Sequence, residues 1–396
     1  MRSEIRRWTR LIEALTNHLR GAGQAPAVQG DGDRRDLRLD ACRGLALWFI
    51  FIDHIPGDAF GWLTLRNYGF SDTTEAFVFV SGYTCMLAYG GALRAQGWPT
   101  IVARSLRRGF EIYAAFLLLL IGYFVLIWLA GGGRYIDDTN TRVFFENPGA
   151  ALIHAVVLQY TPVNTDILPT FALLHLAFPV VLWLLIRNAA VALALSFLLY
   201  LMVQLFSWHV PAWPGGEWYF NPLAWQFLFV FGAWYADAGA GRLKAIAQSR
   251  AVLWLALIYL VLSLVVALSW QIEPLRWLIP DMVSGLIYPI DKSHLAPLRL
   301  AHFLALAVVV SRLMPHDWHG LMKPWMTAMI RCGENSLAVF CLSILLSFAG
   351  EVILQEISGS IAMQAAVTLA GIALMIAAAT LMTWEARLDR RGPKLF

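Results

Sequence analysis

The stretch that decides the fold runs from Asp40 to Phe60 and reads DACRGLALWFIFIDHIPGDAF. It predicts a membrane-spanning helix, because almost unbroken apolar sequence separates Arg43 near its start from Asp53 and His54 near its end. An arginine or aspartate at the centre of a span costs roughly 2.5–3.5 kcal/mol on insertion scales, so ionisable residues there are functional candidates. On a helix, Arg43 and His54 would be about 16 Å apart along the axis, which is half of a typical hydrocarbon core.

The composition extends this pattern to the whole chain. The 396 residues are 59% hydrophobic and 14% charged, whereas soluble domains carry about 45–50% apolar and 25% charged residues. We therefore predict an all-α polytopic membrane protein with about ten transmembrane helices. The predicted spans lie at residues 41–60, 74–92, 109–131, 167–186, 189–207, 222–239, 251–270, 295–313, 332–350 and 359–384. A further apolar piece, 149–160, is too short to cross, and we expect it to be re-entrant or interfacial.

The positive charges predict the orientation of these spans. With both termini in the cytoplasm, 23 of the 30 Lys and Arg residues fall in inner segments and five in outer loops. This bias is a strong positive-inside signal, and it predicts a multi-pass membrane protein with both termini in the cytoplasm. The predicted bundle covers residues 39–385. A basic amphipathic segment with a linker (1–38) precedes it, and a basic cytoplasmic tail (386–396) follows it.

This orientation places two groups of polar residues on opposite sides of the membrane. On the outer side we expect a pocket formed by Asp53, His54, Asp58, Asp72, Glu75, Asp166, Asn221, Trp225 and Gln226. From their location, the candidates to bind an acceptor substrate there are Asp72, Asp166, Asn221, Trp225 and Gln226. On the inner side we expect a basic patch formed by Arg43, Arg104, Arg107 and Arg108. Arginine pairs with phosphate groups in a bidentate geometry, so this patch suits the phosphates of a nucleotide-bearing acyl donor. The alternative is that these arginines anchor span ends and set the topology.

His54 is the candidate general base, which would take the proton from a hydroxyl nucleophile. Asp58 lies four positions later and is predicted to share its helix face, and Glu75 from the second span is the other candidate to orient the ring. Asp53 points about 100° away on the helix and needs a different partner. A histidine without a role at a helix end is the alternative, since a Pro-Gly pair follows it.

Other outer residues also have two interpretations. Asp72 fits the N-cap of the second span, with Glu75 as its capping-box partner. Ser81 and Gly82 favour either tight helix packing or the close approach of a linear ligand. An outer loop rich in aromatic residues suits either stacking on sugar rings or an interfacial aromatic belt. The aromatic residues of that loop are Trp208, Trp213, Trp218 and Tyr219.

The motifs that are missing from the sequence narrow the function classes. The sequence contains no phosphate-binding glycine motif, zinc motif or G-x-S-x-G motif, which argues against a primary pump and a hydrolase. We predict no metal site and no nucleic-acid partner. A transporter or flippase is the alternative function, in which the same charges would line a substrate or proton path. No inverted repeat or pair of broken helices favours it.

Five stretches of the chain carry a family resemblance. Two lie near the start, RLDACRGLALWFIFIDHIPGDAF (38–60) and LRNYGFSDTTEAFVFVSGY (65–83). Three follow, DILPTFALL (166–174), FNPLAWQFLFVFGAW (220–234) and CGENSLAVFCLSILLSF (332–348). These stretches resemble the OpgC-type membrane proteins, a family associated with succinylation of osmoregulated periplasmic glucans, over about residues 36–385. The spacing Arg-x10-His in the first helix is also similar to that of the wider membrane acyltransferase superfamily.

The resemblance implies roles for two residues and a reaction. By resemblance, Arg43 helps to hold acyl-coenzyme A and His54 is essential for transfer. Asp53 departs from the family pattern, in which asparagine often precedes the histidine. By resemblance, the protein lies in the bacterial inner membrane. We expect an O-acyltransferase that moves an acyl group, by resemblance succinyl, from cytoplasmic acyl-CoA to a periplasmic glucan hydroxyl. Succinyl-CoA would be the donor substrate. We expect no tightly bound cofactor. The expected partners are the lipid bilayer, acyl-CoA and glucan, and the oligomeric state is left open.

Overall fold

The computed structural model describes residues 36–314 and 318–391. Within these ranges the regular secondary structure is helical, apart from one isolated antiparallel bridge between Pro211 and Glu217. The predicted all-α class is therefore confirmed. The predicted amphipathic segment and nearly all of its linker lie outside the described residues, as do residues 392–396 of the predicted tail.

The helices follow one another along the chain with mostly short connections. In order they are α1 (Leu37–Asp53), α2 (Thr73–Cys85), α3 (Gly91–Leu129), α4 (Tyr135–Asp138), α5 (Arg142–Glu146), α6 (Pro148–Val156), α7 (Ile167–Phe206), α8 (Pro222–Trp234), α9 (Ala240–Ala247), α10 (Arg250–Gln271), α11 (Asp281–Ile287), α12 (Pro297–Leu313), α13 (Pro324–Glu334), α14 (Ser336–Glu356) and α15 (Ile361–Arg391). Single π-helical turns at Met86–Gly90 and Tyr235–Gly239 join α2 to α3 and α8 to α9.

Six helical stretches in the described residues are long and apolar enough to cross a membrane. They are Thr73–Leu93, Ala95–Leu129, Ile167–Phe206, Arg250–Gln271, Ser336–Glu356 and Ile361–Leu388. The multi-pass membrane character is therefore supported by the fold. α1 and α12 have 17 residues each and are shorter than these stretches. The total of ten spans and the cytoplasmic location of the termini remain predictions.

α7 consists of two helical halves that meet at Asn188. The backbone of Asn188 is extended (φ −158°, ψ 96°). Its Oδ1 accepts the N–H groups of Ala190 and Val191, both at 3.1 Å. Asn188 is therefore the N-cap of the second half. The break falls between the two spans predicted in this region, and each half has the roughly 20 residues that a span needs.

Both ends of α7 lie at the same end of the bundle. Near its start, Thr170 Oγ1 donates to the carbonyl of Phe220 at 2.7 Å, and near its end Gln204 Nε2 donates to the carbonyl of His294 at 2.7 Å. The residues next to Phe220 and His294 are themselves joined by a backbone hydrogen bond of 3.1 Å. The two halves of α7 are therefore antiparallel, and the break at residue 188 turns the chain back.

The loops of the bundle separate into two ends. We call one the His54 end, which is formed by the loops 54–72, 157–166, 207–221 and 272–296. At this end Lys292 Nζ lies 2.6 Å from a carboxylate oxygen of Asp72. We call the opposite end the Arg104 end. There α1 begins and α2 finishes, so that Arg43 Nη2 reaches the hydroxyl of Thr84.

The first helix is shorter than the sequence predicted. α1 ends at Asp53 rather than near Phe60. Pro56 supplies no backbone N–H to continue the helix, and Gly57 adopts a left-handed conformation (φ +75°) that other residues rarely take. The chain after His54 is therefore a loop that lies over the end of the bundle.

The short apolar piece at 149–160 enters and leaves the bundle at one end. It folds as α6, whose nine residues span about 14 Å, too little to cross a hydrocarbon core. The hydroxyl of Tyr113, which lies well inside α3, donates to the carbonyl of Val156 at 2.8 Å. The chain on either side of α6 is joined by the Val163 N–H, which donates to the carbonyl of Thr139 at 3.0 Å. This path fits the predicted re-entrant helix.

α2 and α8 cross with their backbones in contact. A Cβ atom on Gly82 would lie 1.9 Å from the carbonyl oxygen of Phe229, and one on Gly232 would lie 2.2 Å from that of Phe79. Neither position has room for a side chain. Of the two interpretations of Gly82, the structure supports tight helix packing.

Gly82→Ala is expected to lower the midpoint of thermal unfolding in detergent, because the added methyl group forces the two backbones apart. Overpacking of this kind costs about 1–3 kcal/mol. Gly91→Ala is the matched control, since a Cβ on this helical glycine meets nothing within 4 Å. Alanine there improves helix propensity by roughly 1 kcal/mol, so its midpoint should hold or rise. Equal midpoints for the two variants would contradict the close crossing.

Candidate active site

A cavity runs through the bundle and joins its two ends. Its volume is about 2640 Å³. At the Arg104 end its wall contains Arg43, Arg104, Arg107 and Arg108. At the His54 end its wall contains Asp53, His54, Asp58, Arg66, Asp72, Asp166, Lys292 and Arg299. The predicted basic patch and most residues of the predicted outer pocket thus line one continuous cavity.

His54 is the C-cap of α1, and it lines this cavity. Its backbone N–H donates to the carbonyl of Ile50 at 3.1 Å. Its Nδ1 is buried and has no hydrogen-bond partner among the described residues. Because Nδ1 is closed off, Nε2 is the nitrogen left for a ligand in the cavity. An unpaired buried polar atom costs about 1–3 kcal/mol, and native proteins keep such atoms mainly where they have a function or bind water.

The predicted orientation of His54 by Asp58 is wrong. α1 ends before His54, so the two residues do not share a helix face. Asp58 Oδ1 instead caps the 3₁₀ turn Ala59–Leu63 with a hydrogen bond of 3.0 Å, and Asp58 Oδ2 accepts the hydroxyl of Thr368 at 2.8 Å. The carboxylate therefore ties the loop to α15, although it still lines the cavity.

Glu75 is also not available to orient His54. It is fully buried, and its Oε2 accepts the Asp72 N–H at 3.0 Å, which completes the predicted capping box. Its other oxygen, Oε1, accepts Nε of Arg299 at 2.7 Å. The capping interpretation is confirmed. The predicted orienting role is not supported, because Arg299 of α12 occupies the Glu75 oxygen that the capping box leaves free.

Asp72, Glu75, Lys292 and Arg299 form a group of two carboxylates and two cations, which we call the ion cluster. Lys292 Nζ and Arg299 Nη2 lie 2.6 and 3.1 Å from Asp72 Oδ2. Burial opposes the ionisation of Asp72. The charges of Lys292 and Arg299 outweigh that effect and hold the pKa of the Asp72 carboxyl well below its usual range. Asp72 is therefore ionised at neutral pH and holds Lys292 and Arg299 together at the wall of the cavity.

Asp53 makes its contacts with the loop that follows α1. Its Oδ1 accepts the hydroxyl of Thr64 at 2.6 Å, and its carbonyl accepts Nη1 of Arg66 at 3.1 Å. Asp53 thus has a partner other than His54, as its position on the helix predicted. The charges that act on the His54 ring are those of Lys292, Arg66 and Asp72.

Asp166 lines the cavity in front of α7, as expected for the outer pocket. Its Oδ1 accepts the hydroxyl of Thr161 at 2.6 Å. Burial raises the pKa of the Asp166 carboxyl to about 6. The structure therefore holds this carboxylate at the cavity wall, with one oxygen fixed by the Thr161 hydroxyl.

Three residues predicted to bind an acceptor, Asn221, Trp225 and Gln226, are not part of the cavity wall. Asn221 caps α8 through its Oδ1. Trp225 is 0% exposed, and its Nε1 donates to the carbonyls of Lys292 and Ser293, both at 3.2 Å. Gln226 bonds through both side-chain ends to the second half of α7. These side chains point into the helix packing, and Trp225 fixes the backbone that presents Lys292 to the cavity.

The four predicted arginines meet the cavity at and near the Arg104 end. Arg107 Nε and Arg108 Nη1 share the carboxylate of Glu111, at 3.1 and 3.2 Å. A guanidinium carries five N–H donors, so this shared carboxylate leaves donors for a ligand. Arg43 lies further along the cavity, where its Nη2 bonds to α2.

Lys292 is the cavity residue that sequence reasoning missed. It was counted only as one of five outer cations. A signal was present, because a lone lysine in outer loops that are poor in positive charge departs from the positive-inside pattern. Its partner Asp72 lies 220 residues earlier in the chain, so the pairing itself was not visible in the sequence.

Comparison with known proteins identifies one family. A family model described as OpgC protein matches residues 35–387, which is most of the chain. No curated protein and no solved structure matches the chain. The match includes His54, the ion cluster and the four arginines.

Proposed function

Because the chain belongs to the OpgC protein family, it is a membrane protein of the acyltransferase type, and we propose that it transfers an acyl group across the membrane. In this proposal the donor is cytoplasmic acyl-CoA, by family resemblance succinyl-CoA, and the acceptor is a hydroxyl of a periplasmic glucan. The observation that carries the proposal is the cavity, because it joins the arginines to His54. The Arg104 end would face the cytoplasm and the His54 end the periplasm.

The donor would lie along this cavity. Its phosphates would bind Arg104, Arg107 and Arg108 together with Arg43, which lies further along the cavity than the other three arginines. The linear arm of coenzyme A would then run beside α1, which carries Arg43 and His54 about 16 Å apart. A succinyl group ends in a free carboxylate, and Arg66 would supply positive charge for it at the His54 end, because Arg66 lines the cavity and bonds a backbone carbonyl there.

The transfer step uses His54 as a general base. A glucan hydroxyl attacks the thioester carbonyl, and Nε2 of His54 takes its proton. The new C–O ester bond forms, the C–S bond breaks, and coenzyme A leaves as a thiolate that then takes up a proton. An acyl-histidine intermediate would use the same residue as nucleophile, and a burst of released coenzyme A without acceptor would identify that route.

Transfer in detergent tests this function against a transporter. The purified protein should acylate a soluble glucan from radiolabelled succinyl-CoA in micelles, where no gradient exists across a membrane. A transporter or flippase would give no labelled glucan in micelles. It would instead move substrate in sealed vesicles, and this pair of results would overturn the proposal.

Arg43→Ala is expected to weaken binding of succinyl-CoA about tenfold or more, because a charge-assisted hydrogen bond to a phosphate is among the stronger polar contacts. Isothermal titration of the purified variant would measure it. Arg134→Ala is the matched control, since Arg134 is exposed and pairs with Glu356 on the surface. If both variants bind the donor as tightly as the unmodified protein, Arg43 anchors the helix and does not hold the donor.

A further inference from the structure

Aromatic side chains from three loops and from the last turn of α10 line the cavity at the His54 end. They are Trp62, Trp213, Tyr219, Trp270 and Tyr288. The sequence left open whether the outer aromatic residues stack on sugars or form a belt in the lipid interface. Belt side chains lie on the outer surface of a bundle, among lipid headgroups. These five instead border the cavity that contains His54, and that position favours a ligand.

The aromatic residues of the loop 207–221 lie in different surroundings. Trp213 and Tyr219 line the cavity. Trp218 is buried, and Trp208 is 49% exposed and lies at a separate shallow depression beside Phe206. Trp208 therefore has the properties of an interfacial tryptophan, whereas Trp213 and Tyr219 do not.

Trp213 is held rigidly with one ring face covered. That face stacks on His154 with the ring centres 4.3 Å apart and the planes 8° from parallel. The edge of Tyr160 packs against it, and its backbone N–H donates to the carbonyl of Gln159 at 2.8 Å. A ring fixed in this way loses little freedom when a ligand stacks on it.

Polar groups accompany the aromatic rings in the same wall. Besides the charged groups and His54 already described, they include the amides and carboxylates of Asn67, Asp138, Asn140, Asn164, Asp166, Glu217 and Gln271. Aromatic faces match the C–H faces of pyranose rings, and amide and carboxylate oxygens accept hydrogen bonds from sugar hydroxyls. This combination suits a neutral, hydroxyl-rich chain better than it suits a lipid, because lipid tails have no hydrogen-bond donors for these acceptors.

We infer that the His54 end of the cavity is a subsite for several consecutive residues of a neutral glycan chain, with Trp213 and Tyr219 as stacking platforms. The inference rests on the proposed function for the identity of the reaction, in which the bound glycan is the acceptor. Binding of the glycan can be measured without that reaction. Because the aromatic residues come from three separate loops and the end of α10, one sugar residue cannot contact all of them. The site should therefore prefer an oligosaccharide to a monosaccharide.

Binding without any donor tests the inference. The full chain in detergent would be titrated with a linear β-glucan hexasaccharide and with glucose. We expect the hexasaccharide to bind much more tightly than glucose. Trp213→Ala and Tyr219→Ala should each weaken hexasaccharide binding roughly three- to tenfold, and Trp213→Phe should recover part of the loss. Trp208→Ala is the matched control and should leave binding unchanged.

The outcomes separate this inference from the proposed acyl transfer. If the hexasaccharide binds as expected but no acyl transfer occurs, the subsite stands and the reaction is wrong. If transfer occurs and Trp213→Ala leaves the KM for the glucan unchanged, the subsite is wrong and the reaction stands. Absence of hexasaccharide binding, equal affinity for glucose, or an equal loss in Trp208→Ala would each overturn the subsite.

Discussion

His54→Ala is expected to lower the rate of acyl transfer about 10²- to 10⁴-fold, which is the usual contribution of a positioned general base. Binding of the acyl donor should change little, because the arginines proposed to bind its phosphates lie at the other end of the cavity from His54. The measurement is a comparison of initial transfer rates with donor affinities for the same purified variant. A loss of rate with unchanged affinity identifies a residue that acts in the transition state.

Two control variants make this prediction specific. His319→Ala removes an exposed histidine that is not part of the cavity wall, and its transfer rate should stay within a few fold of that of the unmodified protein. Asp58→Asn tests the helix-face prediction that the structure corrects, because the Asp58 carboxylate bonds Thr368 and not the ring. If Asp58→Asn loses as much rate as His54→Ala, the two residues act as a unit and the structural assignment is wrong.

The sequence predicted those features of the fold and the site that depend on residues close together in the chain. The apolar runs predicted a helical membrane protein, and the spacing within α1 placed Arg43 and His54 on one helix. The capping box of Asp72 and Glu75 was also predictable, because it joins residues only three positions apart. Sidedness then predicted that Asp166 would lie in the same pocket as His54, and both line the cavity.

What the sequence did not reveal depends on contacts between distant segments. Glu75 was expected near His54, but its free oxygen is taken by Arg299, 224 residues away. Trp225 sits in an outer helix end with polar neighbours, yet it turns into the packing and bonds the backbone of Lys292. Apolar periodicity does not say which neighbour a helix face will meet when nearly every face is apolar. Such pairings are set by the packing of the whole bundle.

Arg299→Met is expected to be among the most destabilising single changes in the described part of the chain. Arg299 is 8% exposed and Glu75 is 0% exposed, and Arg299 compensates both carboxylates of the ion cluster. Removing one partner of a buried ion pair leaves an uncompensated buried charge, which costs about 3–5 kcal/mol. The midpoint of thermal unfolding in detergent should fall clearly. Arg134→Met, which removes an exposed surface pair, should cost at most about 1 kcal/mol.

The double variant Arg299→Met with Glu75→Gln separates charge compensation from packing. Glutamine can still accept the Asp72 N–H in the capping box, and Lys292 remains to balance Asp72. The double variant therefore has no uncompensated charge and should be more stable than Arg299→Met alone, although it carries one more substitution. If the double variant is as unstable as the single one, the arginine acts through its packed stem and not through its charge.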